Sequence, residues 1–135
     1  TLPDNYSFLV DGFVKRFEKN TDIWPIVELA KSKYKIGLLT NMYPNMLNEI
    51  KKADLLPNIE FDQIIDSSIE KVQKPYKEIY ELAEKRSGFK GNEILFIDNS
   101  QKHLDSAKQL GWQTFLYNPI DTKSSSEELS KLITP

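Results

Sequence analysis

The 135 residues contain no cysteine. A disulfide framework and a thiolate metal site are therefore excluded, and a reducing, cytoplasmic setting is the expectation that fits. An excess of either charge is also missing: 18 basic residues face 20 acidic ones, a net of -2. No basic surplus points to nucleic acid, and no acidic tail points to a basic partner. No apolar run approaches the roughly 20 residues of a membrane span, and no signal-peptide pattern opens the chain. Repeats and low-complexity stretches are absent too. Histidine is reduced to one residue, His103, which reads as a solvated helix residue. The length suits one domain able to bury a core. Partners in nucleic acid or membrane are not expected.

What is present is alternation. Apolar strands alternate with amphipathic helices, the pattern of an α/β domain with a mostly parallel sheet. Helices are predicted over about 25–33, 44–53, 75–86 and 101–110, each with one apolar face. Pro25 and Pro75 suit first helical turns. Gly88 and Gly91 end the third helix, and Gly111 suits a left-handed cap on the fourth. Strands are predicted over 34–40, 61–65, 94–97 and 113–117. The run Ile94 to Ile97 is apolar throughout, so burial on both faces and pairing on both edges are expected. Residues 118–126 read as a polar, mobile segment, and 127–133 as a short terminal helix. Residues 1–22 stand apart as aromatic and charged, ahead of a core over 23–135.

Ligands of such sheets bind beyond the carboxyl ends of the strands. Thr40, Asp98 and Asn99 fall at such ends. A hydroxyl there, followed by free backbone N–H groups, can hold a phosphoryl oxygen. A lysine brings a point positive charge to that anion. A carboxylate can hold Mg²⁺, a hard cation that prefers oxygen. Each piece also has an ordinary structural reading. Thr40-Asn41 is common turn chemistry, Lys74-Pro75 is an ordinary helix start, and Asp98-Asn99-Ser100 can simply cap a helix. Ser67 and Ser68 lie near the expected mouth and read equally as loop residues, while Trp24, Trp112 and the tyrosines, Tyr80 among them, read as packing. Only the ordered set is specific.

That set is Ile36-Gly37-Leu38-Leu39-Thr40-Asn41, then Lys74-Pro75 opening a helix, then Ile94-Leu95-Phe96-Ile97-Asp98-Asn99-Ser100. It resembles motifs II, III and IV of the haloacid dehalogenase-like hydrolases, across about residues 23–119. The resemblance implies a Rossmann-like three-layer sandwich. It also implies a parent enzyme that is a phosphatase of a small phosphorylated metabolite, acting through an aspartyl-phosphate. Thr40 would bind a phosphoryl oxygen, helped by Asn41. Lys74 would neutralise the charge of nucleophile and phosphoryl group, and Asp98 and Asn99 would face Mg²⁺. Asn99 stands where the small-cap members more often carry a carboxylate, so weak or absent Mg²⁺ binding is expected. The same departure suits a 2-haloacid dehalogenase, and a non-catalytic binding module on this fold is the reading from another class. Residues 1–22 resemble the end of a helical cap, or a linker.

The family's motif I, Asp-x-Asp-Gly, does not occur in these 135 residues. Asp11-Gly12 is the only Asp-Gly pair, and Leu9 replaces the required acid. A capless reading would make Phe8 to Val10 the motif I strand. In the family that strand lies between those ending at Thr40 and Asp98. The expectation is a fragment, inactive alone, whose central slot is filled by a missing segment or a second chain.

Overall fold

The computed structural model describes residues 4–7, 9, 14 and 17–134. Among them, strand β1 (Gly37–Thr40) pairs in parallel with β2 (Gln63–Asp66), with Thr40 opposite Asp66. Strand β3 (Leu95–Asp98) pairs in parallel with β4 (Gln113–Leu116), with Asp98 opposite Leu116. Helix α1 (Trp24–Lys31) precedes β1 and α2 (Met46–Lys52) follows it. A single turn, α3 (Ser67–Glu70), follows β2, and α4 (Lys77–Ser87) leads towards β3. Helix α5 (Gln101–Gln109) crosses from β3 to β4, and α6 (Thr122–Ile133) closes the chain.

Local chemistry sets these boundaries. The Asp66 carboxylate accepts the Ser68 N–H at 2.9 Å, so β2 turns directly into α3. Helix α4 stops at Gly88, whose φ of +78° is left-handed and open to glycine without strain. The Ser100 hydroxyl accepts the His103 N–H and starts α5. The Asp121 carboxylate accepts the Ser124 N–H at 3.1 Å and starts α6.

Helices pack on both sides of the β3–β4 pair, as a three-layer sandwich requires. On one face Leu39, Ile65 and Phe96 meet Ile79 and Tyr80 of α4, Leu104 and Ala107 of α5, and Trp112. The rings of Tyr80, Phe96 and Trp112 meet edge-to-face, with centroids 5.5 to 5.9 Å apart. On the other face Leu95 and Phe115 meet Ala30 of α1 and Leu129 and Ile133 of α6. This is the Rossmann-like α/β arrangement that the motif order implied.

Several expectations are corrected. Strand β1 begins at Gly37 rather than at residue 34, and the Tyr34 side chain is instead exposed beside α6. Helix α4 begins at Lys77 because Tyr76 is still extended; Pro75 lies ahead of it, after a cis peptide. The stretch 122–126 is helical rather than irregular, since Ser125 and Ser126 are buried with their hydroxyls satisfied. Burial of Ile94 to Ile97 on both faces also fails. Phe96 is buried, but Ile97 is 37% exposed. Pairing is one-sided as well. Among the described residues no ladder joins β1 to β3, so each has one neighbour, β2 and β4 respectively. The alternative strand Phe8 to Val10 and the pair Asp11-Gly12 lie outside the described residues, Leu9 excepted.

Candidate functional site

All four strands run parallel within their ladders, so Thr40, Asp66, Asp98 and Leu116 close their carboxyl ends. The chain brings Lys74 to this end from the loop between α3 and α4. Lys74 Nζ donates to Asp98 Oδ2 at 2.7 Å, and the two side chains are 9% and 7% exposed. A charged pair this dry holds only with good geometry and further hydrogen bonds. Those bonds exist. Asp98 Oδ1 accepts the Ser100 N–H at 2.9 Å, and His103 Nδ1 lies 3.2 Å from Oδ2. Burial pushes the Asp98 carboxyl up, but the Lys74 ammonium, with help from Ser100 and His103, outweighs it and holds the group below its ordinary range. Asp98 is therefore ionised at neutral pH.

The loop that carries Lys74 is fixed by Asn41. The Asn41 Oδ1 accepts the Lys74 N–H at 2.9 Å, and its Nδ2 donates to the Lys74 carbonyl at 3.0 Å. One side chain at the end of β1 thus holds the backbone of residue 74 from both sides. Asn41 is otherwise exposed, so its second amide hydrogen remains open. The half-buried Thr40 hydroxyl makes no hydrogen bond to another described residue. The neighbouring loop is pinned by Ser67, whose hydroxyl accepts the Met42 N–H at 2.9 Å. Asn41, Lys74 and Asp98 are therefore brought together. Asn99 follows Asp98 in the chain, but it is exposed and bonded to no described residue.

Sequence reading missed two participants. His103 is the third residue of α5, and a side chain at that position reaches back over the cap toward the strand end. The spacing of five from Asp98 was the available signal. Tyr80 was read as packing alone. Its hydroxyl donates to the His103 carbonyl at 2.8 Å. Burial, then the nearby Asp98 charge, push that hydroxyl up to about 12, so it stays a donor.

As to metal, no cluster of three or more His, Cys, Asp or Glu side chains suits an ion among the described residues. Asp98 and Asn99 carry the hard oxygen donors that Mg²⁺ prefers, and they are the residues that would hold it. A shallow hollow lined by Glu84, Lys90 and Gly91 among others lies beside the start of β3, away from this end of the strands.

The chain is similar to known proteins. A family model of haloacid dehalogenase-like hydrolases matches residues 12–111. Bifunctional epoxide hydrolase 2 of Rattus norvegicus is 30% identical over 139 residues, covering 98% of this chain and 24% of that protein. Its Sus scrofa counterpart is 28% identical over 97% of this chain and 24% of its own length. The chain thus spans only 24% of the curated relatives it matches. A dehalogenase solved with an intermediate complex is similar at a TM-score of 0.70 and 25% identity, over 85% of this chain and 56% of that one. A HAD family enzyme from Bacteroides thetaiotaomicron, in complex with magnesium and inorganic phosphate, shares the fold at a TM-score of 0.62 and 24% identity, over 70% and 52%. No described helix is long and apolar enough to cross a membrane. With its ordered motifs converging on one sheet end, and the family model spanning that whole region, this chain belongs to the haloacid dehalogenase-like hydrolases.

Proposed function

We propose that this chain is part of a phosphatase that acts on a small phosphorylated metabolite. The observation that carries the reading is the dry Lys74–Asp98 contact of 2.7 Å at the carboxyl end of the strands. A lysine held this way is a fixed positive charge where an anion would arrive. Its ammonium has three donors and spends one on Asp98, leaving two for phosphoryl oxygens. The Thr40 hydroxyl and the open Asn41 amide hydrogen add neutral donors at the end of β1.

The reaction would run in two displacements. A carboxylate oxygen attacks phosphorus, the ester P–O bond breaks, and the leaving oxygen takes a proton. Water then attacks the acyl phosphate and releases inorganic phosphate and the free carboxylate. Lys74 would hold the phosphoryl charge through both steps. Mg²⁺, when held by Asp98 and Asn99, would supply further neutralisation of that charge. The attacking carboxylate is not among these residues, since Asp-x-Asp-Gly does not occur in them. We assign it to a strand seated between β1 and β3, from an upstream segment or a second chain. The one-sided pairing of both strands among the described residues supports that place.

A second reading, a 2-haloacid dehalogenase, is favoured by Asn99 in place of a carboxylate and by the likeness to a dehalogenase. One assay series separates the two. The 135-residue chain and a version extended upstream through an Asp-x-Asp-Gly strand are given phosphate esters with Mg²⁺, and 2-haloacids without it. Phosphate release by the extended chain alone is the expected result. Halide release without phosphate release selects the dehalogenase. Equal turnover by both chains would sink the missing-carboxylate argument, and no turnover by either leaves a binding module.

A further inference from the structure

His103 is the only histidine in the chain, and its ring nitrogen Nδ1 stands 3.2 Å from Asp98 Oδ2. An ionised carboxylate has no proton to give, so the donor in this contact is Nδ1–H. Asp98 Oδ2 then receives two donors, Lys74 Nζ and His103 Nδ1, while Oδ1 receives one, the Ser100 N–H. Each carboxylate oxygen accepts about two hydrogen bonds. Oδ2 is filled, and Oδ1 keeps one open position.

His103 is itself held from behind. Its backbone N–H meets the Ser100 hydroxyl, and its carbonyl accepts the Tyr80 hydroxyl at 2.8 Å. The Tyr80 ring packs edge-to-face on both Phe96 and Trp112. The imidazole therefore hangs from a rigid helix start. Its side chain is 23% exposed against 7% for Asp98 and 9% for Lys74, which puts it on the wetter side of the pair.

We propose that His103 is a positioning residue for Asp98. With Lys74 it loads Oδ2 and turns Oδ1 toward an incoming ligand, and in return the carboxylate fixes the neutral imidazole with its proton on Nδ1. Free imidazoles of histidine favour the proton on Nε2, so the structure reverses the ordinary preference. The same pairing of carboxylate and imidazole sets tautomer and ring orientation wherever a histidine must present one defined nitrogen. Here the nitrogen left with the lone pair is Nε2. The role given to Oδ1 rests on Asp98 serving the site as argued above; the tautomer does not.

The test uses the 135-residue chain labelled with ¹⁵N and ¹³C, at pH 8.5. With one histidine, its ring nitrogens are assigned without ambiguity. Long-range ¹H–¹⁵N correlation is expected to show a protonated Nδ1 and a bare Nε2. A proton on Nε2 overturns the proposal. The Asp98 carboxyl carbon is then read in His103→Leu, which cannot donate, and in His103→Asn, which can. A shift in the leucine variant that the asparagine variant largely restores is the expected pattern, whatever either does to melting temperature. No shift with leucine, or equal shifts in both, refutes the positioning role. Should His103→Leu fail to fold, the wild-type tautomer and the asparagine variant still decide. None of these readouts involves hydrolysis. An Nδ1-protonated histidine in a chain whose extended form releases no phosphate would sink the phosphatase and leave this proposal standing.

Discussion

Replacing Lys74 with methionine isolates the charge of the buried pair. The methionine stem can follow the lysine stem past Phe96, whose ring centroid is 5.4 Å from the ammonium. What disappears is the 2.7 Å contact, and Asp98 is left ionised with only Ser100 and His103 as donors. Removing one partner of a buried pair typically costs about 3–5 kcal/mol. The two remaining donors place Lys74→Met near the lower end, about 3 kcal/mol at pH 7. For a domain of this size that is a fall of roughly 10 °C in melting temperature. The pH dependence carries the sharper signature. In the wild type the Asp98 carboxyl lies below its unfolded value, so its contribution is present above about pH 4 and is lost as pH falls through the folded value. Without the lysine, burial dominates and the folded value rises above the unfolded one. The variant then gains stability as pH falls through that raised value. Urea midpoints at pH 7 and pH 4 should show the gap between the two proteins narrowing on acidification. A loss under about 1 kcal/mol at pH 7 would mean that water screens the pair as on a surface. A gap that stays constant with pH would mean that Asp98 is not the group left stranded.

Three further outcomes are expected. Asn41→Ala strips both the N–H and the carbonyl of Lys74 of their partner and should cost about 1–3 kcal/mol, read from urea midpoints. Asn41→Asp should recover only part of this, because the donor to the carbonyl is gone. Trp112→Ala removes the ring that touches both Tyr80 and Phe96, together with the 2.8 Å bond from Nε1 to Glu84. A loss of about 3–5 kcal/mol is expected, and one under about 1 would show that the aromatic cluster is not the centre of this core. Asn99→Asp places a second carboxylate beside Asp98, so calorimetry should detect tighter Mg²⁺ binding; unchanged affinity would remove residue 99 from the metal's reach.

The order and type of the elements were legible because strong local signals agreed. An apolar run such as Ile94 to Ile97, a left-handed glycine at position 111 and hydroxyl or acid caps all pointed the same way. Where tertiary partners decide, the sequence was mute. Ser125 and Ser126 look like loop residues, yet they are buried because Tyr117 and the Asn118 N–H satisfy their hydroxyls. Ile97 looks like core, yet it is 37% exposed. At the site, Lys74 and Asp98 were legible as an ordered pair of motifs. Their direct contact was not, since nothing local states how a loop at residue 74 meets a strand ending at 98. His103 was hidden for a related reason: its meaning lies in the reach of a side chain back over a helix cap, not in its own surroundings in the chain.

The Asn41 amide has a consequence for how this site tolerates change. A carboxamide is a detached peptide group, and here it meets residue 74 as the next strand's backbone would, giving and receiving one bond each. Position 74 is paired like a strand residue although no described strand reaches it. That pairing reads only main-chain atoms, so it is blind to which side chain residue 74 carries. The lysine can be exchanged without losing the loop's place, whereas asparagine cannot be replaced by an acid, a hydroxyl or a longer amide without losing half of the pairing or its reach. Shape at this site is written into one residue and charge into another, and the two can vary separately.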